Sequence, residues 1–481
     1  MSKYQQLSEQ IKQQIQTGIW HVGEKLPSLR KQAAYSGLSM MTVLQAYQLL
    51  ESQGWIVSQS RSGYRVAPHA ELTQNGSDSA IHPTESVDIN DYIFDVLQAS
   101  RSPGMASYGH AYVDPLLAPR HQVNRSLTTA VRFMSIHSVV DNLPPGNAQL
   151  RHLIAQRYAA QGMQVSPDEI VITAGGLDAL NLSLRAVTQP GDWVAVESPA
   201  FYGALQALEN RGLKAMAIRT HPTEGIDLDA LERVLQTHPI RACWLMSNHQ
   251  NPLGYSLSNE KKARLADLVK RYQVYLIEDD VYGELYEGEH KPLPTKAFDS
   301  SGHVFDSSGH VLHCSSFSKT LVDAFRLGWV AAGDQAQKLQ KLQLMSTVTT
   351  SVPIQLAVAH YLHNRNYEHH LKQLRRTLAK RKKATYQFLI DHLPRDVEVV
   401  NSQGGYFLWI ALPKGSNTTA LYHLALKHHI SIAPGNMFAT HAQFAHCFRL
   451  NASYPLDHAH QNALATLCDL IAQHIQGLIK S

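Results

Sequence analysis

Apolar positions recur along this chain with two different periods. At the N-terminal end the period is helical: Leu7, Ile11 and Ile15 share one face and Gly18 ends the run. Pro27 and Ser28 open a second, short helix that reaches about Tyr35; Gly37 supplies a turn, and Ser39 is a good N-cap for a third helix. In that helix Val43, Ala46, Tyr47 and Leu50 form one apolar face, which leaves Thr42, Gln45 and Gln48 pointing away from it. Gly54-Trp55-Ile56-Val57, the turn Ser60-Arg61-Ser62-Gly63 and Tyr64-Arg65-Val66 then predict two short strands around a glycine turn. The pattern is a helix-turn-helix followed by a β-wing.

From about residue 105 the period changes. Short apolar runs (Ile170-Val171-Ile172, Trp193-Val194-Ala195-Val196, Ala242-Cys243-Trp244-Leu245-Met246, Tyr275-Leu276-Ile277) alternate with helical stretches. This βα alternation predicts a mostly parallel sheet covered on both faces, with its chemistry at the carboxyl ends of the strands. Between the two patterns, residues 68–90 shift to Asn, Ser, Asp, His, Thr and Pro, the composition of a flexible connection; helical patterning resumes near residues 92–97. The expected division is residues 1–68, a linker 69–104, and a large domain 105–481. A perfect seven-residue repeat, Phe298-Asp299-Ser300-Ser301-Gly302-His303-Val304 and again at 305–311, reads as a surface loop insertion without chemistry of its own.

Charge sharpens this division. The formal net charge is +4, and up to Ala70 seven basic residues face three acidic ones. The whole excess therefore sits at the N-terminal end, where a nucleic-acid phosphate backbone is the expected partner. No apolar run approaches a membrane span, and the N-terminal residues lack the apolar core of a secretory signal. Cys243, Cys314, Cys447 and Cys468 are scattered without metal spacing and read as reduced thiols of a cytoplasmic protein. The adjacent pairs His369-His370 and His428-His429 do not face each other on a helix, so no metal site is expected.

The chemistry concentrates in Ser315-Ser316-Phe317-Ser318-Lys319 and in Arg326-Leu327-Gly328-Trp329. A lysine beside small hydroxyls, with an arginine seven positions on, suits a phosphorylated aldehyde: the amine forms a Schiff base while hydroxyls and guanidinium hold the phosphate. Further candidates lie where strands end: Ala174-Gly175-Gly176-Leu177 before a helix, a backbone anion site; Asn248-His249-Gln250-Asn251-Pro252-Leu253-Gly254; and Glu278-Asp279-Asp280-Val281-Tyr282-Gly283. The residues alone leave Asp280 open as the pairing acid in place of Asp279. They also leave Arg449, in Cys447-Phe448-Arg449-Leu450-Asn451, open as half of a structural ion pair.

Two resemblances follow. Gly23-Glu24-Lys25-Leu26-Pro27-Ser28, Ser39-Met40-Met41-Thr42-Val43, Leu49-Leu50-Glu51 and Gly63-Tyr64 resemble the winged helix of GntR-type repressors. This implies that Arg30, Ser39, Thr42 and Gln45 approach DNA, with Arg61 and Gly63 at the wing. Met40 and Leu44 stand where relatives often carry arginine, which shifts base readout toward Ser39, Thr42, Gln45 and thymine methyl contacts. The lysine segment and the strand-end motifs resemble fold-type I aminotransferases that use pyridoxal 5′-phosphate (PLP). This implies Lys319 on the aldehyde carbon, Asp279 at the pyridine nitrogen, Asn251 and Tyr282 at the ring oxygen and Phe201 stacked on the ring. It implies Gly176, Leu177, Ser316 and Arg326 around the phosphate, Arg449 on a substrate carboxylate, and a homodimer. The order of the two parts is that of MocR-type regulators, a branch of the GntR family. The implied function is a transcriptional regulator sensing PLP or an amino compound through Lys319. The alternative is an active aminotransferase with an appended DNA-binding domain.

Overall fold

The computed structural model describes residues 3–16, 20, 23–52, 55–59, 63–66, 81–84, 89–99, 101–299 and 309–480. Its contacts divide the chain into two units, Met1–Ala80 and Ile81–Ser481.

The first unit has three helices, Lys3–Gln16, Leu29–Ser36 and Met40–Ser52, and an antiparallel pair, Ile56–Gln59 with Gly63–Val66. Local chemistry sets these limits. Ser28 Oγ accepts the Lys31 amide at 3.3 Å, and Gly37 ends the second helix at φ 67°, where a side chain would be strained. Ser39 Oγ accepts the Thr42 amide at 3.2 Å and starts the third helix. Val43, Ala46, Tyr47 and Leu50 are fully buried, against Leu7, Ile11, Trp55, Ile56 and Val66. Burial of such a side chain contributes about 1.5–3 kcal/mol, so this single face holds the small unit together. Gly18, Gly54 and the wing tip 60–62, including Arg61, lie outside the described residues.

In the second unit the main sheet runs in the order Ile81–Thr84, Lys214–His221, Trp193–Ser198, Ile240–Leu245, Tyr275–Asp279, Val311–Ser316, Gly328–Ala331, Ile170–Thr173. Its centre is parallel; Ile81–Thr84 at one edge and Gly328–Ala331 near the other run antiparallel to their neighbours. Helices on its faces bury residues such as Leu180, Leu184, Leu265 and Leu268. A second, antiparallel sheet joins Glu398–Val400, Phe407–Ala411, Cys447–Asn451 and Ala433–Pro434.

The two units meet at 80/81, within the stretch 69–104 expected as linker. Ile81–Thr84, inside the stretch expected as linker, closes the open edge of Lys214–His221. The helix Asn90–Ala99 then buries Ile93 and Val96. Residues 300–308 of the tandem repeat lie outside the described residues. Asp299 closes the base of that loop by accepting the His310 and Val311 amides at 3.0 and 2.8 Å.

Candidate functional site

Five turns after strands converge in the second unit. They carry Gly175-Gly176-Leu177 after Ile170–Thr173, Phe201 after Trp193–Ser198 and Asn251 after Ile240–Leu245. Tyr282 follows Tyr275–Asp279 and Lys319 follows Val311–Ser316. Lys319 Nζ donates to the Ala111 carbonyl at 2.6 Å and sits 5.3 and 5.5 Å from the ring centres of Tyr112 and Tyr282. Burial, then the nearby Arg326 and Arg449 cations, pushes its amine down to about 8.

Asp279 and Asp280 separate because neighbours on a strand point to opposite faces. Asp280 is engaged: His313 Nε2 lies 3.0 Å from Oδ2, and Asn248 Nδ2 donates to Oδ1 at 3.1 Å. Behind it, His313 Nδ1 meets the Tyr158 hydroxyl at 2.7 Å, which accepts from Trp329 Nε1 at 2.9 Å. Burial opposes ionisation of Asp280, but His313, Lys291 and Asn248 together outweigh it and hold the carboxyl below its ordinary value. Asp279 is 1% exposed and lies near enough to Lys319 for that cation to oppose part of its shift. Among the described residues its Oδ1 accepts only the Val281 amide at 3.4 Å, and its Oδ2 has no partner. Burial, with Asp280 adding, pushes it up to about 7. A buried carboxylate oxygen without a donor fits a protonated ring nitrogen.

The phosphate-side candidates gather at one turn. Gly175 stands at φ 101°, and a Cβ there would lie 2.8 Å from Arg326 Nη2. A Cβ on Gly176 would come within 2.8 Å of Val281 and 3.4 Å of Ser316. Arg326 is itself in the left-handed region (φ 46°), and its Nη1 donates to Ser318 Oγ at 3.3 Å. Gly176 and Leu177 begin the helix Gly176–Val187, so their amides have the positive end of its dipole.

Arg449 is fully buried, and its guanidinium has no carboxylate partner among the described residues. It donates to Asn251 Oδ1 at 2.6 Å and to the Gly109 carbonyl at 2.5 Å, lies 4.3 Å from the Phe407 ring, and leaves Nε without a partner among the described residues. Asn251 Nδ2 reaches the Tyr282 hydroxyl at 3.5 Å. Phe201, half-buried, packs on the cluster that contains Ala111, Met246 and Tyr282.

In the first unit Arg30, Ser39, Gln45 and Gly63 are exposed and Thr42 is half-buried. The Ser39 and Thr42 hydroxyls bond each other at 2.8 Å, which commits the proton of one and a lone pair of the other locally. Met40 and Met41 are exposed beside them.

The aminotransferase class I and II family matches residues 121–465, and the gntR family of bacterial regulatory proteins matches residues 3–66. The HTH-type transcriptional regulator YdcR of Escherichia coli (strain K12) is 54% identical over 99% of this chain and 100% of its own length. The chain belongs to the MocR-type branch of the GntR family of transcriptional regulators. A second such relative, YjiR of the same strain, is 32% identical over 98% of the chain and 99% of its own length. In fold, the crystal structure of LysN, an alpha-aminoadipate aminotransferase from Thermus thermophilus, matches with a TM-score of 0.69. It is 25% identical and covers 82% of this chain and 99% of its own.

Several residues of this MocR-type site carry no motif in the sequence. Tyr406 is fully buried, donates to the Ala111 carbonyl at 2.8 Å, and so shares the acceptor of Lys319. Its only signal is Gly404-Gly405 before an apolar run, which reads as an ordinary strand entry. His110, pushed down to about 4 by burial and by Arg449 and Lys319, bonds the Tyr454 hydroxyl at 3.0 Å. Among the described residues no group of three or more His, Cys, Asp or Glu side chains is placed to hold a metal ion, and no helix is long and apolar enough to cross a membrane.

Proposed function

We propose that this regulator binds PLP in its second unit and uses that site to sense PLP itself or an amino compound, changing how its first unit engages operator DNA. The observation that carries this reading is the buried Asp279 oxygen, unpartnered among the described residues and near enough to Lys319 to feel its charge, within a chain that also has a winged helix. In that reading Lys319 supplies the amine and Asp279 holds a proton at the pyridine nitrogen. Asn251 and Tyr282 orient the ring oxygen, and Phe201 covers the ring. The Gly176 and Leu177 amides, Ser316 and Arg326 hold the phosphate. Bound PLP offers a carbonyl that reacts with amines and a ring that withdraws electrons. Arg449, without a carboxylate partner among the described residues, selects for effectors that carry one. LysN, complexed with N-(5′-phosphopyridoxyl)-L-leucine, supports a site of this kind. DNA as partner puts the protein's work in the cytoplasm.

A ligand changes transcription only if it favours one arrangement of the chain over another. The deciding experiment measures affinity for the protein's own upstream DNA, with and without PLP and a panel of amino acids. Ligand-independent affinity refutes the sensor reading. An active aminotransferase is the second reading, favoured by Asp279 and Arg449 both lying near enough to Lys319 to shift its amine. Rapid keto-acid release on mixing the PLP-bound protein with amino acids decides for it.

Arg30, Ser39, Thr42, Gln45 and Gly63, with Arg61 outside the described residues, form the proposed DNA face. Arg30→Ala is expected to weaken operator binding about tenfold at matched salt and to lower the salt slope by about one. Unchanged affinity and slope in a titration against salt remove Arg30 from the interface.

The reading includes a homodimer. Phe133, Ile136, Val139 and Val140 form one exposed apolar stretch, Leu344, Met345 and Val348 another; Thr349 Oγ1 donates to the Asn142 carbonyl at 2.5 Å and ties the two together. Ile136 is 94% and Met345 85% exposed, and a patch of this kind suits a second copy of the chain. Ile136→Asp with Met345→Asp is expected to shift sedimentation to the monomer; a dimer that persists at micromolar concentration places the interface elsewhere.

A further inference from the structure

Glu197 lies near the end of the strand Trp193–Ser198 and is 3% exposed. No cation pairs with it among the described residues, yet both its oxygens are occupied. Oε1 accepts the Met246 amide at 3.2 Å and the Tyr255 hydroxyl; Oε2 accepts Gln250 Nε2 at 3.2 Å. Gln250 carries the link further. The same Nε2 donates to the Pro199 carbonyl at 2.9 Å, and its Oε1 accepts the Leu253 amide at 2.8 Å.

Two walls of the site grow from these bonds. Pro199 stands two residues before Phe201, and Gln250 immediately precedes Asn251. Tyr255 closes the far end of the same turn, where the Gln250 amide donates to its carbonyl at 2.9 Å. One carboxylate therefore joins the strand end that presents Phe201 to the turn that presents Asn251. Asn251 in turn accepts from Arg449, so the link reaches the guanidinium as well.

The chemistry explains why an acid stands here. Burial pushes this acid up to about 8 against the three bonds that converge on it; the Met246 amide and Gln250 Nε2 each need an acceptor oxygen, and a carboxyl group supplies one to each in either protonation state, its single proton in the neutral form going to the Tyr255 hydroxyl. A glutamine would turn its NH2 toward Gln250 Nε2, donor against donor. Gln250 cannot turn its amide over in answer without losing the Leu253 amide and the Pro199 carbonyl.

We propose that Glu197 is a positioning residue for the cofactor pocket, setting the spacing between Phe201 and Asn251 through Gln250. This rests on the reading of the pocket as a PLP site. Glu197 does not touch the cofactor; it acts through two side chains, Phe201 and Asn251, that would lie against its ring.

The test titrates PLP into the full-length wild type, Glu197→Gln, Gln250→Ala and the double variant, following the absorbance of bound PLP, with far-ultraviolet circular dichroism as the check on folding. Loss of the link is expected to weaken PLP by about tenfold and to move the absorbance maximum in either single variant. The double variant is expected to be no weaker than the worse single, because both remove the same link. Unchanged affinity and spectrum in folded Glu197→Gln, or additive losses in the double variant, overturn the proposal. If Glu197→Gln fails to fold, Gln250→Ala, which keeps the carboxylate, must show the loss alone; an unchanged affinity and spectrum there also overturns it. A wild type without a PLP band overturns the cofactor reading itself, and this proposal with it.

Discussion

Lys319→Ala is expected to abolish the absorbance band near the visible edge that PLP gives with the wild-type protein. PLP affinity should fall by at least about a hundredfold, roughly 3 kcal/mol. No other described lysine is placed at the turn between Val311–Ser316 and Gly328–Ala331. The amine is poised because burial and two cations hold it at about 8. At pH 7 roughly one amine in ten is then neutral and nucleophilic, against about one in a few thousand for an ordinary lysine. The same numbers give the sign for stability. A lysine whose folded value lies below its unfolded one destabilises the fold wherever the unfolded chain keeps its proton. That cost is complete below about pH 8 and fades as the pH rises through the unfolded value near 10.5. Lys319→Ala should therefore be at least as stable as the wild type at pH 7. The Ala111 carbonyl is not orphaned, since the Tyr406 hydroxyl still donates to it. Thermal unfolding and a PLP titration together check this. A surviving band refutes the role of the amine, and a large fall in the melting midpoint would show that the lost affinity came from damage to the fold.

The parts of this site that the sequence announces are those whose signal is local. Val43, Ala46, Tyr47 and Leu50 reveal a buried face because helical geometry repeats every 3.6 residues. Gly175-Gly176, Asp279 to Tyr282 and Lys319 are legible because each lies within a few residues of the strand that presents it. The rest depends on separations that no spacing encodes. Arg449 meets Asn251 across 198 residues, and Lys319 and Tyr406 reach Ala111 across 208 and 295. Strand alternation tells that Asp279 and Asp280 face opposite ways, but which faces the pocket depends on where His313 and Asn248 arrive. The edge strand Ile81–Thr84 hides for another reason. Pro83 and its polar surroundings read as a loop, but an edge strand tolerates a residue without an N–H, and Pro83 sits there opposite Met216.

The neighbouring aspartates should respond to neutralisation with opposite signs. Asp279 is held at about 7 in the fold, against about 3.9 in an unfolded chain, so its cost to stability grows from about pH 4 and is complete above pH 7. A difference of that size corresponds to about 4 kcal/mol, from which the unpartnered amide of an asparagine takes back about 1–3. Asp279→Asn is therefore expected to raise the melting midpoint of the PLP-free protein at pH 8 and to leave it nearly unchanged at pH 4, where both side chains are neutral. Asp280 lies below its ordinary value through His313, Lys291 and Asn248, so its contribution is present above pH 4 and is lost as the pH falls through its folded value. Asp280→Asn should lower the midpoint at pH 8, because it leaves one acceptor oxygen for the two groups, His313 and Asn248, that meet Asp280. Adding PLP reverses the first result. Ligand that binds the fold stabilises it in proportion to its affinity, and an asparagine cannot hold a proton on the ring nitrogen by charge. Saturating PLP should then raise the wild-type midpoint by several degrees more than that of Asp279→Asn. Equal PLP shifts in the two proteins would remove Asp279 from the ring nitrogen. A PLP-free Asp279→Asn protein no more stable than the wild type at pH 8 would show that this carboxylate has a donor that compensates it.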